Sequence, residues 1–521
     1  MKTWLVGLLV VMAGVAHAGD AAYQVIEEQL GPFHAQWHET ISRDGLHVAS
    51  VIQQGNGKMV VVDGQPGQAY DDICVPVFSP DGKRLAYTAQ QGAKWLVVVD
   101  GQPSPAYDGA GLWPVFSPDS RRLAYEADQG ARWRVMVDGQ PGPACEDVGE
   151  CGPVFSPDSR HLAYAAKQGG SWLVVIDGQP GPTYDGIGWH RDDFFAINPV
   201  FSPDSKRVAY LAQQGRMKCM VVDGQAGPEF DEIVPGSPVF SPDSKRVAYA
   251  TRSGDQGLVV VDGQPGTAYD RIQGGSLIFS PDGRRVAYTA KQGESCLVVI
   301  DGQPSPAYYG TGFGWPVGAP VFSLDGRRMA YRASKADVAF VVVDGQPGMT
   351  FDGIGKPVFS ADGRRLAYVA RQGQRHYLVV DGQPGPAYDR IQEDSLIFSP
   401  DGSGLAYTAL QGREWLVVVE GQEGRTVGVR GADEAAPFPG TGRPVFSPDS
   451  RHVAWLALQW PKWRVVLDGK PGLAYDWVAV PGPSFHADGS IEYLAQKDGA
   501  LYRVKLVPQD AGAKGLAPTL P

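Results

Sequence analysis

The sequence predicts an all-β protein, a β-propeller built from twelve four-stranded blades, and three observations carry that prediction. A unit of about 40 residues recurs along the chain. Each copy breaks into four short runs rich in β-branched and aromatic residues, and no segment sustains the 3.6-residue apolar period of a helix. The clearest copy begins at Pro76 and reads PVFSPDGKRLAYTAQQGAKWLVVVDGQPSPAYDG. Its Phe anchor falls at Phe78, Phe116, Phe155, Phe201, Phe240, Phe279, Phe322, Phe359, Phe398, Phe446 and Phe485. Ile41 takes the same place in a degenerate first copy.

Within a unit the elements follow in a fixed order. PVFS is the first strand, closed by a Pro-Asp-Gly or Pro-Asp-Ser turn, and RLAYTA is the second, ending at Gln-Gly. WLVVVD is the third, followed by Asp-Gly-Gln-Pro-Gly in most copies, and PAYDGA is the fourth. Asp-Gly between such runs is a hairpin signal, because glycine reaches positive φ without steric cost. Along the second strand Leu85 and Tyr87 point to one face, Ala86 and Thr88 to the other. A large face meeting a small one suits blades stacked around an axis, each large apolar side chain buried there contributing ~1.5–3 kcal/mol. A single blade buries neither face, so its stability has to come from its neighbours.

The phrases SPDGKRLAY, SPDSKRVAY and SPDGRRVAY resemble the WD40-like, TolB-type β-propeller repeat, which prolyl oligopeptidase propellers also resemble. The likeness spans nearly the whole chain after residue 18 and draws its specificity from repetition. It implies the propeller fold and says little about activity. No segment resembles the α/β domain that accompanies the TolB propeller, nor the hydrolase domain of the oligopeptidases.

Twelve units divide into two six-bladed rings or close as one large ring. Propellers typically have about four to eight blades, so two rings are the expectation. Residues 19–274 would then hold the first six blades with an N-terminal closing strand, 275–507 the second six, and 508–521 a flexible tail. A contrary sign comes from the twelfth unit, which stops after its third strand, ALYRVKLV. The missing fourth resembles AAYQVI, from Ala21 to Ile26, and one such closure is what a single ring needs.

Most of the 67 Gly and 42 Pro sit in these turns. A net charge of −11 lacks the basic footprint of a nucleic-acid binder. Lys2, an apolar stretch from Trp4 to Val15, and Ala16-His17-Ala18 read as a secretory signal over residues 1–18. Gly19 and not a cysteine directly follows the cleavage point, so a lipid anchor is not expected, and no later apolar run is long enough for a membrane-spanning helix. The expected location is periplasmic or secreted. Cys145 and Cys151 flank a short loop and are candidates for a disulfide, with free thiols acting as small hydrophobes the alternative.

Residues present in every blade point to scaffold. The Asp81-type and Asp100-type carboxylates read as turn formers paired with Lys83 or Arg84, and Trp95, Trp133, Trp172, Trp415 and Trp463 as a packing stripe. Departures from the repeat are more informative. Insertions before Phe201, Phe322 and Phe446 read as longer connections from a fourth strand to the next first strand, emerging on one face. They carry Trp189, Phe194, Phe195, Phe313, Trp315 and Phe438, residue types enriched at binding hot spots, which alternatively fold back to cap the ring. His190, Asp192 and Asp193 form the one local cluster resembling a cation site, a pattern more often a solvated loop, and neither metal nor cofactor is expected. No G-x-S-x-G, H-E-x-x-H, P-loop or C-x-x-C occurs. The expected function is an exported, monomeric, non-catalytic scaffold binding a protein or cell-envelope component through its aromatic insertion face. The alternative is an extracytoplasmic glycan or peptide hydrolase or lyase, with Trp113, Asn198, Lys356 and Arg443 lining the channel mouth.

Overall fold

The computed structural model describes residues 12–18, 21–32, 39–149, 152–188, 199–309, 317–412, 414–420, 426–430, 442–459, 461–479 and 482–509. Twelve antiparallel sheets follow one another along the chain. Among the described residues the one helical element is a single 3-10 turn, Glu393–Ser395. Blade 2 shows the pattern: an inner strand in two pieces, Asp72–Ile73 and Val77–Phe78, followed outward by Leu85–Gln91, Lys94–Val99 and Gln102–Pro103. The run PAYDGA and its counterparts turn out to be shared between neighbours. In blade 1 the outer strand Gln65–Tyr70 ends at its tyrosine, and Asp72 already pairs with Gln90 of blade 2.

The hairpins behave as their residues require. Asp100 and Gly101 both hold positive φ, 50° and 77°, the conformation of a two-residue turn that matches strand twist. Aspartate tolerates this because its short carboxylate bonds locally, and here it accepts from the Leu85 amide at 3.0 Å.

Apolar clusters fill the gaps between consecutive blades, twelve of them for twelve interfaces among the described residues. Leu85, Tyr87 and Ala89 pack on Ala49, Val51 and Val60 of blade 1, while Ala86 and Val97 face Leu123 and Tyr125 of blade 3. Large meets small, as the alternation along the second strand requires. Tyr87 also meets Tyr70 edge-on with ring centroids 6.4 Å apart, a pairing repeated at Tyr269–Tyr288 and Tyr388–Tyr407.

These contacts correct the two-ring expectation. Ala248 and Val259 of blade 6 pack against Leu277 and Tyr288 of blade 7. Blade 12 closes on blade 1, with Ala479, Leu494 and Leu501 against Val48 and Ile41. The chain therefore forms one ring of twelve. The physical reason is that the sixth interface uses the same large-into-small fit as the others, so nothing turns the chain out of the ring there. A single seam remains, and the N-terminal strand Ala21–Pro32 closes it by pairing with Ala500–Gln509, Val25 opposite Leu506. That strand supplies the missing fourth element of blade 12. Met12–Ala18 lies on its outer edge, so the segment expected to be a signal ends just before the closing strand begins.

A second contact ties blades together. Arg84 Nε donates to Asp100 Oδ2 at 3.0 Å within its own blade, and Nη1 donates to the Arg121 carbonyl of blade 3 at 2.9 Å. Its guanidinium lies 5.2 Å from the Phe116 ring centroid, also in blade 3. Arg122, Arg207, Arg246 and Arg328 repeat the whole arrangement. His47, His161 and His452 stand in its place in blades 1, 4 and 11, each bonded to its own blade's aspartate. At the seam Arg503, from the third strand of blade 12, reaches the Leu46 carbonyl and Asp63 of blade 1 and Glu28 of the closing strand. The Asp81 type serves its own turn, accepting from the Ser79 hydroxyl at 2.6 Å.

Candidate functional site at the channel wall

The inner strand of each regular blade is interrupted by its own sequence. Proline before the Val-Phe pair (Pro76, Pro114, Pro357) has no N–H to give to the ladder, so pairing stops and the backbone bulges before it resumes. In blade 3 the pieces are Gly109–Ala110 and Val115–Phe116, and Gly111, Leu112, Trp113 and Pro114 form the bulge between them. Inner strands of adjacent blades touch one another, so the bulges line the central opening of the ring.

On one sector of this wall the bulges are apolar and exposed: Val75 is 40%, Leu112 49% and Trp113 63% accessible. Val75 also lines a groove of about 380 Å³ between blades 1 and 2, together with Thr40, Ile41, Arg43, Pro76 and Phe78. Elsewhere the wall is charged. Blades 9 to 11 (353–388, 390–430 and 442–471) present Lys356, Glu393, Asp394 and Arg443, with Arg443 Nη2 3.4 Å from Asp394 Oδ2. Arg252 and Arg271 line a smaller groove of about 320 Å³ between blades 6 and 7, where Arg252 pairs with Glu232 at 3.7 Å.

Glu126 is the unusual residue of the apolar sector. It occupies the second-strand position held by Thr88, Ala165, Ala250, Thr289 and Val369 in sister blades. Thr88 there donates to the Gly111 carbonyl of the next blade at 2.7 Å. The Glu126 carboxylate instead lies between two glycines, Gly111 of its own bulge and Gly152 of the next. A side chain on Gly111 would stand 3.0 Å from Oε2, and one on Gly152 would stand 3.6 Å from Oε1. Burial, and then the charge of Asp147, push its pKa up to about 7. Two residues on and facing the same way, Asp128 has a buried Oδ1 without a hydrogen-bond partner among the described residues.

Every aromatic and polar residue of the expected insertion site lies outside the described residues: Trp189, His190, Asp192, Asp193, Phe194, Phe195, Phe313, Trp315 and Phe438. The ends of their segments are described, and they refine the expectation. Gly188 donates to the Leu211 carbonyl and Val200 pairs with Ala209, so the inner strand of blade 5 is described on both sides of positions 189–198. Residues 310–316 and 431–441 precede the inner strands of blades 8 and 11, where Val317 bridges to Ala333 and Gly442 donates to the Leu456 carbonyl. Trp113, Lys356 and Arg443 stand in the bulges, and Asn198 is not among the described residues. Cys145 is a buried free thiol that donates to the Trp133 carbonyl and is pushed up to about 11 by burial. Its expected partner Cys151 is also outside the described residues. Trp133 and Trp463 pack against interblade cores, and Trp172 is buried. Among the described residues no three His, Cys, Asp or Glu side chains come together as a metal site, and no helix is long and apolar enough to cross a membrane.

No family model matches the chain, and no curated protein matches it. Solved structures do. A eukaryotic initiation factor aligns at 13% identity and a TM-score of 0.36, over 81% of this chain and 97% of that one. TolB from Acinetobacter baumannii aligns at 16% and 0.21, over 50% and 80%. The Dos1 propeller aligns at 11% and 0.27, over 60% and 90%. Likeness this distant carries no argument about activity, and the architecture rests on the strand pairing and interblade cores above. The chain is a twelve-bladed β-propeller.

Sequence reading missed Glu126 and Asp128. The signal was there, since acids at those two second-strand positions occur in blade 3 alone among the twelve copies, but it sat inside a strand and not in an insertion.

Proposed function

We propose that this chain is an exported, non-catalytic propeller scaffold that binds a protein or cell-envelope partner at its channel wall. One observation carries the reading: Leu112 and Trp113 stand about half or more exposed on an inner-strand bulge of the channel wall. Exposed aromatic and aliphatic side chains grouped on a rigid frame are the anatomy of a binding hot spot. The repeated carboxylates, by contrast, are engaged in turns and clamps. Resemblance of the repeat to the TolB type and the signal-like residues 1–18 support export. The aromatic insertions belong to the same surface in this reading, because inner strands flank or follow their positions in the chain.

The test is capture of partners from a periplasmic extract by the full chain. Leu112→Ser with Trp113→Ala should abolish capture without lowering the unfolding midpoint, and so should combined alanine replacement of Trp189, Phe195 and Trp315. Capture unchanged in both variants would sink the reading. One residue favours the enzymatic alternative: Glu126, with its pKa raised to about 7, suits general acid–base work at the channel mouth. Turnover of glycan or peptide substrates abolished by Glu126→Gln would establish that alternative.

A further inference from the structure

The apolar sector and the unusual acids of blade 3 are neighbours, and together they define what the surface accepts. We propose that the inner wall of blades 3 and 4 takes a cationic segment of a partner protein, a lysine or arginine reaching Glu126 and Asp128 while adjoining apolar residues lie on Leu112 and Trp113. This deepens the reading above and rests on it.

Charge complementarity selects the occupant. Glu126 is joined to the bulge directly, since the Gly111 amide donates to its backbone carbonyl at 3.0 Å and Leu112 and Trp113 follow at once. Among the described residues nothing hydrogen-bonds the buried Asp128 Oδ1. The cations around them are committed or placed elsewhere. Arg134 donates to the Gly142 carbonyl at 2.9 Å, and Lys167 stands opposite Asp147 in its own blade. In blade 6 the corresponding pair is complementary, Arg252 opposite Glu232, whereas Asp128 stands opposite Gly109. An anionic segment would be repelled here, and a neutral apolar one would bury the carboxylates further without a partner. An ammonium or guanidinium satisfies both acids, and such a pair is strengthened by partial desolvation. Glycines at 111 and 152 set no side chain against the carboxylate from either blade. Binding a cation holds Glu126 ionised, so affinity should rise between pH 6 and pH 8 as roughly one proton is released.

The experiment uses the full chain and three labelled peptides of alternating sequence, Lys-Leu, Lys-Ser and Glu-Leu, followed by fluorescence anisotropy. The Lys-Leu peptide should bind about tenfold or more tighter than either comparator, and weaken with added salt. Glu126→Gln and Trp113→Ala should each lower its affinity by about tenfold with an unchanged unfolding midpoint, and Arg332→Gln, at the equivalent position of blade 8, should not. Equal binding of Lys-Leu and Glu-Leu peptides, or full affinity in Glu126→Gln, overturns the cationic assignment. In that event loss of partner capture in Leu112→Ser with Trp113→Ala would still uphold the docking face, so the two readings fail separately.

Discussion

Arg246→Met isolates the interblade clamp. Arg246 Nε pairs with Asp262 at 2.9 Å, Nη1 donates to the Arg284 carbonyl of blade 7 at 2.9 Å, and the guanidinium lies 5.5 Å from the Phe279 centroid. The ion pair is a third or more exposed on both sides, so it is worth only ~0.2–1 kcal/mol after solvent screening. A charged donor on a carbonyl adds ~1–2 kcal/mol, and the guanidinium over the ring ~0.5–1 kcal/mol. Methionine keeps the aliphatic stem on Phe279, and Asp262 keeps its bond from the Val247 amide, so no new buried group is orphaned. The expected loss is about 2–3 kcal/mol, measured as the shift in urea unfolding free energy. Because each blade leans only on its neighbours, one weakened interface is felt by the whole ring. Lys245→Met is the control: its neighbouring lysine is 80% exposed and makes one long pair with Asp243. A loss under about 0.5 kcal/mol for Arg246→Met, or one equal to the control, would refute the clamp.

Two further predictions test the same contact from other sides. Gly404→Arg in blade 10 should gain about 1 kcal/mol in urea unfolding by restoring the missing clamp. A Cβ at Gly404 would stand 3.4 Å from the tip of the Phe446 ring of blade 11 and 3.2 Å from Ser399 Oγ, and the backbone there does not hold positive φ. His452 has its pKa raised above 6.5, chiefly by its hydrogen bond with Asp468 against the opposing effect of burial. Its contribution to stability is therefore fully present below pH 6.5 and is lost as pH rises through the higher folded value. His452→Gln should flatten that part of the pH dependence of unfolding free energy, and an unchanged profile would show that the pair contributes nothing. Glu126 is raised in the same direction, so the comparison is between variant and wild type at each pH.

Much of the fold was legible because it is written twelve times. The repeat period, the Asp-Gly hairpins, the large and small faces of the second strand and the N-terminal replacement for the missing outer strand all follow from local chemistry. One element was misplaced. QAYDDI looks like one strand, yet Tyr70 and Asp72 belong to different blades, because strand pairing and not sequence continuity decides where a blade begins. The binding candidates were sought in insertions, where repeats visibly break. Glu126 passes for a solvent-facing residue of an alternating strand until the next blade encloses it.

The sequence by itself determined the repeat unit: its second and third strands, its turns, and which face carries the bulk. Only the tertiary structure decided how many blades share an axis. That number depends on the fit between blade 6 and blade 7 and on which edge the N-terminal strand finds, contacts between residues far apart in the chain. The same holds for the channel wall. Trp113 is exposed and Glu126 enclosed because the inner strands converge, and no local pattern encodes that convergence.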